Sequence, residues 1–175
     1  MTTVTQWIEQ APEDVKERFE YIDGRWKERE VAGLDHQRVG RRLINELERR
    51  GLTAEGGVRI YLPVRGPDDP DWVVPDAFVV SRDNPAQPGP ASYEGVPDLV
   101  VEVLAADNDA GEDLPKKQQY ALAGLRHYWL VRLTGMTLEA SVLGECEGTE
   151  PCAYLVHSTG PLLPLTALPV PPDLS

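Results

Sequence analysis

Two carboxylates stand where an apolar strand tolerates them poorly. Glu102 interrupts the run Leu99-Val100-Val101-Glu102-Val103-Leu104, and Asp76 follows Trp72-Val73-Val74-Pro75 and precedes Ala77-Phe78-Val79-Val80. A buried carboxylate without a partner is costly or takes up a proton, so something must compensate each of them. Carboxylates on adjacent strands attract a hard divalent cation such as Mg²⁺ or Mn²⁺, which takes oxygen ligands and keeps waters for a substrate phosphate. That chemistry is hydrolysis of a phosphodiester. The structural alternatives are an Asp76 that caps a bulge at Pro75 and a Glu102 paired with an arginine such as Arg59 or Arg126. A third candidate is Lys116, four residues before Tyr120, one turn above an aromatic that should face the core. Lys117 has nearly the same claim, and a solvated lysine in the first turn is the alternative for either.

The elements that must position these groups follow from pattern. Thr5 to Ala11 reads as a short helix, with a polar turn over Pro12 to Arg18. Asp23-Gly24, between two short runs, predicts an antiparallel hairpin. From Asp35, His36, Val39, Leu43 and Leu47 recur at helical spacing, with Arg38, Arg41, Arg42, Glu46 and Arg49 turned elsewhere and Gly51 as the stop. Strands are expected over Val58 to Val64 and Trp72 to Val80, the second beginning late or bulged at Pro75, which cannot donate to a ladder. Ser81 to Pro97 reads as a loop, and the apolar run around Glu102 as a strand covered on both faces. A helix is expected over Leu114 to Ala123, N-capped by Asp113 and stopped at Gly124. Arg126 to Arg132 follows as a strand, then a closing hairpin of Met136 to Leu143 and Ala153 to Val156, and a Pro-rich tail from Pro161 to Ser175 with little pattern.

Length and composition set the frame. A chain of 175 residues, 41% apolar and 26% charged, is expected to form one domain, with its core over about 5–165. No run approaches a membrane span and residues Met1 to Gln10 lack a secretory pattern, so the expected location is cytoplasmic, with no membrane partner. Cys146 and Cys152 flank a turn, and two cysteines in that compartment are expected to stay reduced. The net charge of −12 argues against broad adhesion to nucleic acid but not against a local basic face. Residues Lys16 to Arg50 carry ten Lys or Arg against eight Asp or Glu, so the acidity sits elsewhere.

Several blocks together carry a resemblance: Phe19-Glu-Tyr-Ile-Asp-Gly, Asp35-His36, Val-Pro-Asp76-Ala-Phe-Val-Val, Val-Pro-Asp-Leu-Val-Val-Glu102-Val-Leu, and Lys116-x3-Tyr120-Ala-x-Ala-Gly124-x3-Tyr128-Trp129. In order and spacing, over roughly residues 5 to 165, they resemble the bacterial Uma-two endonuclease family of the PD-(D/E)XK restriction-endonuclease-like superfamily. The resemblance implies an α/β, mixed α+β fold with a central mixed sheet flanked by helices and antiparallel hairpins at both ends. It implies Asp76 and Glu102 as metal ligands, the backbone carbonyl of Val103 as a further ligand, Lys116 (or Lys117) as the catalytic lysine and His36 as the family's histidine. The superfamily's usual lysine position is Leu104 here, and Glu112 with Asp113 matches an acidic position before the helix lysine. The family commonly has Ser-Pro after the metal strand where this chain has Ala105-Ala106-Asp107, and His36, on the inward stripe of its helix, reads equally well as a hydrogen-bonded core histidine. The resulting expectation is an Mg²⁺- or Mn²⁺-dependent endonuclease acting on nucleic acid, DNA ahead of RNA, with a homodimer as the expected assembly. Two readings compete with it: a catalytically silent nuclease-fold module that binds metal or a partner, favoured by the acidic balance and the altered loop, and a carboxylate-dyad glycosidase, which would need no lysine and survive EDTA.

Overall fold

The computed structural model describes residues 10–29, 31–66, 68–90, 92–105, 114–145 and 152–174. The expected first helix falls almost wholly outside them, as do Glu112, Asp113, Ala106, Asp107 and Cys146. The described chain runs α1 (Glu13–Arg18), β1 (Phe19–Ile22), β2 (Arg25–Glu28), α2 (Leu34–Arg49), β3 (Ala54–Glu55), β4 (Arg59–Leu62), β5 (Asp71–Val73) and β6 (Ala77–Val79). It continues through β7 (Gln87–Pro88), β8 (Ser92–Glu94), β9 (Leu99–Leu104), α3 (Leu114–Leu122), β10 (His127–Arg132), β11 (Thr137–Leu143) and β12 (Tyr154–Pro161).

The expected hairpin forms at Asp23-Gly24, whose φ angles of 51° and 73° give the turn that matches strand twist. It is pinned to β5 from within, because the buried Asp71 carboxylate accepts the Asp23 N–H and pairs with Arg65. Helix α2 buries Gly40, Leu43, Glu46 and Leu47, the stripe its periodicity predicts. It ends at Gly51, with φ of 84°.

Instead of the single sheet expected, the described strands form two six-stranded sheets, ordered β2-β1-β5-β4-β8-β7 and β12-β11-β10-β9-β6-β3. The reason lies at Pro75. The run Trp72 to Val80 is neither late nor bulged but cut in two, β5 joining the first sheet and β6 the second. Pro75 lacks the N–H a ladder would require, and its carbonyl accepts instead from Gly57 at 3.1 Å. Residues Val74 to Asp76 therefore form the crossing between sheets, and Asp76 lies at the seam. The expected loop over Ser81 to Pro97 also contributes two short strands, β7 and β8, to the first sheet.

Strand β9 is central in the second sheet, parallel to β10 and antiparallel to β6. Its alternate residues serve two cores, as the near-continuous apolar run requires. Leu99, Val101 and Val103 pack with Leu43 and Leu47 of α2, whereas Val100 packs with Tyr120, Leu125 and residues of the first sheet. The second sheet is thus covered by α2 on one face and by α3 and the first sheet on the other.

The C-terminal tail differs most from expectation. Leu162, Leu168 and Leu174 are buried in the α2 core, and the Arg50 guanidinium donates to the carbonyls of Leu165, Thr166 and Leu168 at 3.1, 2.9 and 3.1 Å. Proline-broken and 3₁₀ segments have no apolar period, so the spacing of these leucines carried no signal. Strand β12 likewise extends beyond Val156 to Pro161. Cys152 is disulfide-bonded, against the expectation of a reduced thiol.

Candidate active site

Three elements deliver the polar groups to one cavity of about 140 Å³. The crossing after β5 delivers Asp76, β9 delivers Glu102 and the Val103 main chain, and the first turns of α3 deliver Lys116. Strand β1 adds Glu20 and the start of α2 adds His36.

Glu102 lies on the α3 side of the sheet, where Tyr120 donates its hydroxyl to Oε1 at 2.7 Å. The same oxygen meets Lys116 Nζ at 2.8 Å. Lys116 Nζ also reaches Glu20 Oε1 at 2.9 Å and the Val74 carbonyl at 3.4 Å. Burial works against the charged lysine, yet the carboxylates of Glu102 and Glu20 together outweigh it and hold its pKa above the ordinary value. Lys117 points elsewhere, to Glu139 at 3.6 Å and over the Tyr128 ring. The helix start therefore brings one of the two neighbouring lysines to the cavity, and it is Lys116.

Asp76 neither caps a bulge nor lies loose. Its Oδ2 accepts the Val103 N–H at 2.7 Å, across the seam. His36 Nε2 stands 3.3 Å from the same oxygen and 2.7 Å from the Val103 carbonyl. The hydrogen bond to Asp76 raises the imidazole pKa against the burial that lowers it. With Nε2 protonated, His36 donates to both groups.

The arginine partners considered for Glu102 serve other carboxylates: Arg59 pairs with Glu13 and Arg126 with Asp173. Glu20 was missed as a site residue although it carries the signal that drew attention to Glu102, a carboxylate within an apolar strand, here Phe19-Glu20-Tyr21-Ile22. It is buried, and its Oε1 also accepts the Val74 N–H at 2.7 Å, so it ties β1 to the crossing that carries Asp76. Burial of a carboxylate alone is not specific to the cavity, since the buried Asp71 and Glu46 pair with Arg65 and with Arg49 and Arg50.

A hard divalent cation suits the donors present. Asp76, Glu102 and the Val103 carbonyl offer two carboxylates and a main-chain oxygen, the ligand chemistry such ions take, around a cavity with room for water. No cluster of three or more His, Cys, Asp or Glu side chains among the described residues is arranged to hold a metal.

The chain matches the Uma2 family, described as "Putative restriction endonuclease", over residues 5–171. Among solved structures it is similar to "a putative nuclease belonging to DUF820" from Anabaena variabilis ATCC 29413, at 15% identity and a TM-score of 0.59, covering 87% of this chain and 83% of that one. At that identity the likeness speaks to the fold, which is restriction-endonuclease-like. A search of the curated proteins found no match. No helix among the described residues is long and apolar enough to cross a membrane. With a family match spanning nearly the whole chain, the protein belongs to the Uma2 family.

Proposed function

We propose that this protein is a metal-dependent nuclease that hydrolyses phosphodiester bonds of DNA at the cavity between Asp76, Glu102 and Lys116. The observation that carries the reading is the Lys116 ammonium, buried against Glu102 at 2.8 Å beside the donors for a cation. A purely structural pair gains little from such a placement, because desolvation offsets the attraction between two buried charges.

Asp76, Glu102 and the Val103 carbonyl would hold Mg²⁺ or Mn²⁺, which supplies a lowered pKa for water and neutralises charge on the phosphate. The carboxylates of Glu102 and Glu20 raise the Lys116 pKa against burial. At the loaded site Lys116 would orient or help deprotonate the attacking water and stabilise charge developing on the phosphoryl oxygens. Tyr120 fixes the Glu102 carboxylate through its hydroxyl. Glu20 fixes Lys116 and, through the Val74 N–H, the segment that bears Asp76. His36 holds Asp76 and the Val103 carbonyl in mutual register, a positioning role.

A homodimer would present one such site to each strand of a duplex. The edge strand β12, with Leu155 and Val156 exposed, is the surface that favours it. The catalytically silent module remains the competing reading, and cleavage decides between them. Wild type and Glu102→Gln are compared on duplex, single-stranded and branched DNA with Mn²⁺ and with EDTA. Cutting by the wild type alone, abolished by EDTA, is the expected result. Equal cutting by both proteins would overturn the proposal, and cutting by neither would favour the silent module.

A further inference from the structure

A second cavity, of about 330 Å³, adjoins the first: Arg29 and Val74 line both. Its walls carry Lys16, Arg29 and Arg59 against Glu17 and Glu55. One oxygen of Glu55 already accepts the Tyr93 hydroxyl at 2.8 Å. The Arg59 guanidinium lies 5.4 Å from the centroid of the fully buried Trp72 ring, so its plane is set by packing. Lys16 Nζ and Arg59 Nη2 converge on the two oxygens of one carboxylate, Glu13, at 2.9 and 3.0 Å.

Glu13 is 70% exposed, and ion pairs to an exposed carboxylate contribute little. Two cations that grip two oxygens of a weakly held, solvent-facing anion form a seat that a phosphate can take by displacing it, and a guanidinium suits phosphate geometry in particular. In a chain of net charge −12, affinity for a polyanion has to come from local seats of this kind. We propose that the second cavity is a phosphate subsite: a nucleic-acid strand with its scissile phosphate at Asp76, Glu102 and Lys116 seats a neighbouring backbone phosphate on Lys16 and Arg59, with Arg29 at the passage between them. The inference rests on the phosphodiester reading of the first cavity.

The test is equilibrium binding of a labelled single-stranded DNA oligonucleotide to the full chain in EDTA, followed by anisotropy across a NaCl series. Each phosphate contact contributes about 0.7 to the slope of log affinity against log salt on a single strand. Lys16→Gln with Arg59→Gln, which loses the one seated phosphate, is expected to lower the slope by about 0.7, and Arg59→Lys to keep it. Lys16→Gln alone, which leaves the Trp72 contact intact, should lower it by part of that amount and serves if the double variant fails to fold. Glu13→Gln, which removes the competing anion, should tighten binding, an effect a merely structural role would not produce. A slope unchanged in both Lys16→Gln and the double variant, or wild type that does not bind at low salt, overturns the subsite. Failure of the nuclease reading is registered separately, by the absence of Mn²⁺-dependent cleavage.

Discussion

Replacing Lys116 with methionine removes the ammonium that stands between Glu102 and Glu20 while keeping most of the side-chain volume. The two carboxylate side chains are 8% and 7% exposed, and each meets Nζ within 2.9 Å. Without the ammonium, Glu102 and Glu20 lose the positive charge they share and keep the Tyr120 hydroxyl and the Val74 N–H as donors. Removing one partner of a buried pair costs about 3–5 kcal/mol. At about 2–4 °C per kcal/mol for chains of this size, the midpoint of thermal unfolding should fall by about 6–20 °C near pH 8. The lysine's own raised pKa means its contribution is fully present below its unfolded value and is lost only as pH rises through the folded one, so the wild-type pair is intact across neutral pH. Lys116→Met combined with Glu20→Gln should recover a large part of the stability but none of the activity. The assay is thermal and urea unfolding followed by circular dichroism near pH 8. A loss below about 1 kcal/mol would refute the assignment of Lys116 as the compensating charge.

Gly56→Ala should damage site and stability together, because a Cβ there would overlap the Asp76 carbonyl and lie 2.7 Å from Ile44 Cδ1. A loss of about 1–3 kcal/mol is expected, with weaker Mn²⁺ binding read by calorimetry, and unchanged binding would show that Asp76 is not displaced. Leu162, 1% exposed in the α2 core, should cost about 2–5 kcal/mol as Leu162→Ala in urea unfolding, whereas a tail without a structural role would give no loss. Burial acts to raise the Asp173 pKa, but His127, its own backbone N–H and Arg126 outweigh it and hold the carboxyl below its usual range. Its stabilising contribution should therefore be present above about pH 4 and vanish as pH falls through the folded value. Wild type and Asp173→Asn, compared by thermal unfolding, should then differ at neutral pH and converge in acid.

Strand β9 was legible because it is buried on both faces, so a carboxylate inside its apolar run stands out against the cost of burying it. The long helix and the Asp23-Gly24 hairpin were legible for equally local reasons, a clear period and a turn that demands positive φ. What was not legible depends on contacts between distant segments. Pro75 signalled trouble within a strand, but only the seating of its carbonyl on Gly57 and of Val74 on Glu20 shows that the chain changes sheets there. Glu20 carried the same local signal as Glu102 but sits in a hairpin strand of four residues, too short for an apolar run to frame it. The choice between Lys116 and Lys117 turned on the rotation of α3 about its axis, which Tyr120 sets by packing under Glu102. In the tail, leucines spaced by prolines and 3₁₀ turns gave no period from which burial could be read.

The most direct test of the central claim is Mn²⁺ titration of the wild type, Glu102→Gln and Lys116→Met, with bound ion and rate of DNA cleavage followed together. The account predicts that wild-type cleavage rises with Mn²⁺ occupancy, that Glu102→Gln loses both, and that Lys116→Met retains binding but does not cut. Cleavage that persists in Glu102→Gln, or in EDTA, would contradict it.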